Sequence, residues 1–285
     1  MPMDSNEVLE RAIRLGWSSF KGSWALLLVA ALALSAGGIP GAVLGQVAQG
    51  VAGIVRIAGG PPETVGIIVV AGILVAQLVG VCAQWPTMAG AGVAAVRAQR
   101  GHANDFKSLL SGFKRFTSVM AAQLVLVVVQ FLVWVPAVAS SFGAFKGLLT
   151  GASTVPDFAQ LNIGALIACG LVATIVNIWI YARFGQAALR AADPDEPRIG
   201  GIAALRYSFA LTRGHTLSAI GITILIGTAA VLSIFLCCIG LLLVGMPLGL
   251  SLQAGFYRAL RNEPDPQPVA PLPAWPGAVP PQTPV

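Results

Sequence analysis

The chain has 285 residues, 56% hydrophobic and only 10% charged, with a formal net charge of +6. A soluble domain carries about 25% charged residues, so too few polar side chains are present to cover a water-facing surface of this size. The positive charge is scattered between long apolar runs, which excludes the contiguous basic patch of a nucleic-acid binder and points to a polytopic membrane protein.

In chain order, the first element is AIRLGWSSFKGSW, residues 12–24. Ile13, Trp17, Phe20 and Trp24 recur at one-face helical spacing, with Arg14 and Lys21 seven apart beside them. This predicts an amphipathic helix lying in the membrane interface, its apolar side in the acyl boundary and its basic residues at anionic head groups. A charge-free run between Lys21 and Arg56 then predicts span one at about 22–44. Small residues at 31–36 would suit a signal-peptide cleavage site, but three acids and three bases precede the run, and the same leading segment recurs twice later. A first span is therefore the reading of choice.

The run from Glu63 to Arg97 predicts span two at about 65–88, with a bend at Trp85-Pro86 and a helical extension to Arg97. DFKSLLSGFKRFT, 105–117, repeats the interfacial pattern: Phe106, Leu110 and Phe113, widened by Leu109 and Phe116, with Lys107 and Lys114 alongside. Spans three and four follow at about 117–140 and 158–182. DPDEPR, 193–198, is expected to be a solvated turn. ALRYSFALTRGHT, 204–216, is the third interfacial copy, with Leu205, Phe209 and Thr216 on the stripe and Arg206 and Arg213 seven apart. The last run predicts two spans, about 216–237 and 240–257, broken near CCIG, 237–240. Residues 262–285 hold nine prolines and read as a disordered, polyproline-rich tail with three Pro-x-x-Pro spacings, a docking peptide for a protein partner being the alternative to a bare solvated tail.

Six spans with a cytoplasmic N-terminus put 15 of the 17 Lys and Arg residues inside, leaving Arg56 and Lys146 outside. The expected fold is thus an all-α membrane protein of six transmembrane helices in three hairpins. A cytoplasmic amphipathic interfacial helix precedes each, and both termini are cytoplasmic. The membrane domain covers 1–261, with pseudo-repeats at about 5–100, 101–192 and 199–261. The returning spans also end alike: AAVRA, 94–98, matches AALRA, 187–191, and RAQR, 97–100, matches RALR, 258–261.

Two stretches carry a resemblance. ALRYSFALTRGHTLSAIG, 204–221, with its Ala-Leu-x-x-Ser-x-x-Leu-Thr-x-Gly pattern, looks like the start of a span in several bacterial integral-membrane families of unknown function. Together with GAGVAAVRAQRGHANDFKSLLSGFKRF, 90–116, it resembles the membrane domain attached to some glycerophosphoryl diester phosphodiesterases. The resemblance covers roughly residues 5–260. It implies a membrane fold, a bacterial cytoplasmic (inner) membrane location and a lipid-related setting. It carries over no catalytic residue, because the phosphodiesterase domain has no counterpart in this sequence.

No charged residue lies in the middle of a predicted span, which argues against a proton-coupled pump and a buried acid–base pair. Amides remain: Gln77 and Gln84 in span two, Gln123 and Gln130 in span three, Asn177 in span four. They are expected either to bond between helices or to line a polar path or head-group pocket among spans two, three and four. Gly37, Gly41 and Gly45 suit close helix approach. Cys82, Cys169, Cys237 and Cys238 sit in apolar runs as small core hydrophobes, and His102 and His215 lack further metal ligands, so no metal or cofactor is expected. The function expected is a non-enzymatic membrane scaffold or lipid-associated protein whose basic cytoplasmic face meets anionic phospholipids through Arg14, Lys21, Lys107, Lys114, Arg206 and Arg213. The alternative is a transporter or permease for a small neutral or amphipathic solute.

Overall fold

A computed structural model describes residues 4–59, 61–102, 106–149, 163–235 and 240–264. Those residues are helical, with no strand among them. Of the break predicted near 237–240, residues 237–239 with Cys237 and Cys238 lie outside the described residues, as does the tail from 265 onward.

Helix α1 (Ser5–Gly22) starts at a capping box: Asp4 is the N-cap and the Glu7 side chain accepts from the Asp4 backbone N–H. Its buried face is Val8, Ala12, Leu15, Gly16 and Ser19, a period-3.6 stripe of small and aliphatic residues. Long apolar helices follow: α2 (Trp24–Ile57) and α3 (Pro62–Gln99). At 1.5 Å per residue, α2 spans about 50 Å, longer than a hydrocarbon core. The expected extension of the second run past residue 88 is present, and the helix is unbroken through Pro86. Gly41 lets the two helices meet, since a Cβ there would lie 2.6 Å from the Ala76 carbonyl oxygen and 2.9 Å from Gly80 Cα.

The second interfacial copy is not one regular helix. It is a 3-10 turn, Phe106–Leu110, followed by α4 (Ser111–Lys114). The cause is steric: Gly112 is pressed onto the Pro86 carbonyl and Gly90 onto the Leu109 carbonyl, closer than any Cβ would allow. Backbone contact with α3 overrides the helical period here. Then come α5 (Phe116–Leu149), α6 (Ile163–Phe184), the short α7 (Ala187–Ala192), α8 (Gly201–Leu211) and α9 (Thr216–Phe235). A π-helical turn, Leu241–Gly245, leads into α10 (Met246–Leu260). The indole N–H of Trp24 donates to the Leu243 carbonyl in that turn at 3.2 Å.

Five of these helices are long and apolar enough to cross a membrane: Trp24–Ile57, Ile67–Gln99, Phe116–Ala137, Ile163–Ala192 and Thr216–Ser233. The sixth predicted run is helical from 240 to 260, but its α-helical part is short and mostly buried among the others.

Successive long helices lie side by side: α2 against α3, α5 against α6, α9 against α10. The interfacial elements follow a cyclic rule. The 106–114 segment packs on α3, and α8 packs on α5, α6 and α7, so each sits on the preceding pair. Helix α1, with no preceding pair, packs on α10 and closes the circle. That crossing is tight, because a Cβ on Gly255 would come within 2.5 Å of the Ala12 carbonyl and 2.9 Å of the Gly16 nitrogen. The main core cluster joins Leu27, Val93, Val96, Val119, Ile180, Leu189, Leu205, Leu250 and Tyr257 from all three thirds of the chain.

Candidate functional site

At the end of the bundle where α1, the 106–114 segment and α8 gather, the six predicted basic residues are all exposed: Arg14, Lys21, Lys107, Lys114, Arg206 and Arg213. Large apolar residues emerge beside them. In the first copy these are Ile13, Trp17 and Trp24, with Trp17 48% exposed, while Phe20 turns half inward to the core. In the second they are Phe106, Leu110, Phe113 and Phe116. The third copy departs from the predicted stripe: Leu205 is buried in the core, and Ile202, 61% exposed, takes the outward place beside Phe209. The Lys21 ammonium lies 5.3 Å from the centre of the Trp17 ring, a cation–π pair on the outer face of α1. Arg183 stands 4.8 Å from the Phe209 ring centre and donates to the Thr212 carbonyl at 3.0 Å, which fastens α8 to α6.

The remaining arginines do different work. The turn expected at 193–198 is solvated at Pro194, Asp195, Pro197 and Arg198, but Asp193 is 1% exposed. The turn is the acidic hub onto which the ends of all three returning helices converge. Arg100, just past α3, reaches Asp193 and Asp195 at 3.1 Å each and Glu263 at 2.8 Å. Arg97 lies 3.5 Å from Asp195, and Arg190 of α7 lies 3.6 Å from Glu196. From the end of α10, Arg258 and Arg261 each meet Glu263 at 3.2 Å, and Arg261 also pairs with Glu196. Arg258 is 2% exposed and donates further to the Gln99 and Pro264 carbonyls. Arg115 donates to the Glu196 carbonyl at 2.8 Å. The N-terminal helix joins through Arg11, which bonds Asn262 and the Glu263 carbonyl.

Burial alone would push the Glu263 carboxyl up. The hydrogen bond and charge of Arg100, with Arg261 and Arg258, outweigh it and hold Glu263 below the ordinary carboxylate range. Burial likewise opposes the Arg100 charge, and Glu263 and Asp193 more than restore it. The repeated "Arg-Ala" helix ends were visible in the sequence as a repeat, and Asp193, Asp195 and Glu196 as its acidic cluster. Their convergence depends on tertiary packing, which no local pattern encodes.

The predicted intramembrane amides fall into separate places. Gln77 and Gln84 are exposed and line a groove of about 480 Å³ between α2 and α3, with Gly38, Gly41 and Gln49. Gln130 and Asn177 line another, between α5 and α6, with Trp134 and Tyr181. The Asn177 amide donates back to the Ala173 carbonyl at 2.8 Å within its own helix. Gln123 is half-buried on α5 and lines neither groove. The two pairs therefore do not share a cavity. A third cavity, of about 190 Å³, lies among α3, α6, α9 and α10 and is lined by Gln186 and Gln253.

No family model, curated protein or solved structure matches the chain.

Proposed function

We propose that the protein is a multi-pass membrane protein without enzymatic activity that binds anionic phospholipid through its basic end, as a lipid-organising or scaffolding component. In this reading the helical run 240–260 is the sixth span, the helix pairs are three hairpins, both termini are cytoplasmic, and the membrane is the bacterial inner membrane. One observation carries it: six basic side chains, two on each pseudo-repeat, are exposed next to exposed aromatic and aliphatic residues on the elements that precede the long helices. Apolar side chains beside Lys and Arg at one level are what an interfacial surface needs, since the first enter the acyl boundary while the second reach phosphate. The five arginines of the hub are paired with its four carboxylates, and the exposed outer six are assigned the lipid contact.

The test is native mass spectrometry of the detergent-solubilised chain with dioleoylphosphatidylglycerol and dioleoylphosphatidylcholine. Each Lys or Arg near an anionic surface contributes about 1 kcal/mol, or roughly fivefold in affinity. The wild type is expected to retain the anionic lipid preferentially. The variant with all six changed to Gln is expected to lose that preference while keeping its fold. Equal retention by the two proteins would defeat the reading.

A further inference from the structure

A pocket of about 260 Å³ opens where the end of α1 turns into α2, against the end of α3 and the side of α10. Ser18, Ser19, Ser23, Gln99 and Arg258 line it. Two of its polar side chains are more than nine-tenths buried and hold unpartnered oxygens: Ser19 Oγ and Gln99 Oε1, their residues 8% and 4% exposed. Buried polar atoms are rarely left unpaired, so a ligand or water completes them.

The hydrogen-bond inventory restricts what that ligand is. Gln99 uses its Nε2 on the Ser251 carbonyl at 2.9 Å, so it offers an acceptor oxygen. Ser18 donates to the Leu15 carbonyl at 3.0 Å and offers lone pairs. The Ser23 side chain makes no capping bond although Ser23 is the N-cap of α2, and the Ser19 hydroxyl is likewise uncommitted, so both donate and accept. A phosphodiester has no proton for the Gln99 oxygen, and a phosphomonoester keeps at most one at neutral pH, too few donors for every group here. An ammonium would sit against the Arg258 wall. A neutral polyol satisfies every group, because each hydroxyl both donates and accepts. A cavity of about 150 Å³ holds benzene, with six heavy atoms, so this one admits a triol of equal atom count with space left for water. Gly22 and Ser23 line the pocket, so the N-terminal end of the 34-residue α2 opens onto it and supplies the positive field that a phosphate seeks, with the exposed Lys21 next in the chain.

We infer that this pocket is a head-group subsite for a neutral polyol, selecting phospholipids whose phosphate carries a glycerol-type head group. The inference rests on the lipid-binding reading above and adds the head-group choice.

The test uses the full chain in detergent with three lipids of identical acyl chains: dioleoylphosphatidylglycerol, dioleoylphosphatidic acid and dioleoylphosphatidylcholine. Retention is read by native mass spectrometry, and acyl-free glycerol 3-phosphate serves as competitor. One net hydrogen bond is equivalent to about fivefold in affinity. The wild type is expected to hold phosphatidylglycerol roughly five- to thirtyfold more tightly than phosphatidic acid. Ser19→Ala/Ser23→Ala is expected to erase that preference while both anionic lipids still outlast phosphatidylcholine. Ser18→Phe, made at an exposed position to plug the mouth, is expected to do the same. Equal retention of the two anionic lipids by the wild type would overturn the subsite and leave the basic-face reading standing, with the pocket holding water only. A phosphatidylglycerol preference that survives in both variants would also overturn it. Displacement by glycerol 3-phosphate at concentrations matching the lipid would assign the pocket to a soluble ligand and overturn the lipid assignment. No difference between the anionic lipids and phosphatidylcholine would overturn both readings together.

Discussion

Glu263→Gln probes the convergence of the three helix ends most directly. The carboxylate accepts two bonds from Arg100, at 2.8 and 3.0 Å, and one from Arg258 at 3.2 Å, and forms an ion pair with Arg261 at 3.2 Å. Its side chain is 15% exposed and that of Arg258 only 2%, so screening by solvent is slight. The amide keeps the shape and one acceptor oxygen but removes the charge. Arg258 then keeps the carbonyls of Gln99 and Pro264 but loses its carboxylate partner Glu263. Removing one partner of a buried ion pair costs about 3–5 kcal/mol. Arg100 keeps Asp193 and Asp195, which puts the expected loss at the lower end, about 3 kcal/mol. For a chain of this size that lowers Tm by about 6–12 °C. The assay is thermal unfolding in detergent followed by circular dichroism, with Glu10→Gln on the exposed side of α1 as the control. If Glu263→Gln melts within about 1 °C of the control, the hub does not hold the helix ends, and the energetic argument from its geometry fails.

The same carboxylate sets a pH dependence. Its folded pKa lies below the ordinary value of 4.5, so its stabilising contribution is complete above about pH 4.5 and is lost as pH falls through the folded value. A Tm that stays flat from pH 6 to pH 3 would contradict this. Gly41→Ala is expected to cost about 1–3 kcal/mol by overpacking α2 against α3, where a Cβ would meet the Ala76 carbonyl at 2.6 Å. Gly53→Ala, on the same helix with nothing within 4 Å, is expected to stabilise by up to about 1 kcal/mol. Parallel urea or thermal unfolding of the two variants checks the opposite signs. Ser208→Ala removes a fully buried hydroxyl that donates to the Arg183 carbonyl at 2.8 Å, and a loss of about 1 kcal/mol is expected in the same assay.

Much of the helical layout is legible in the sequence because charge spacing and apolar run length are local properties. The starts of α2 at Trp24, α5 at Phe116 and α9 at Thr216 fall within two residues of the predicted spans. The six basic residues are outward because they sit on the opposite side of α1 from Ala12 and Gly16, or on equivalent positions later. What the sequence hid is long-range. A backbone collision at Gly112 turned a predicted helix into a 3-10 turn plus one helical turn. Leu205, on the predicted interfacial stripe, found a better place in the core, and Ile202 replaced it outside. The acid-rich turn reads as a surface loop, and most of it is exposed, but the burial of Asp193 and the pairing with Arg97, Arg100, Arg190 and Arg261 are long-range. The polar pocket behind Ser19 and Gln99 joins residues 80 positions apart and left no periodic trace at all.

The seat of α1 on α10 has a consequence for how the chain is made. Helix α1 has its main partner in α10, some 240 residues later in the chain. Until that partner is synthesised, Ala12 and Gly16 face no Gly255, and Arg11 has no Asn262 to bind. Helix α10 thus acts as a keystone: shortening the chain before Met246 removes the seat of α1 together with α10 itself. A nascent chain stalled short of that point leaves the small-residue face of α1 uncovered.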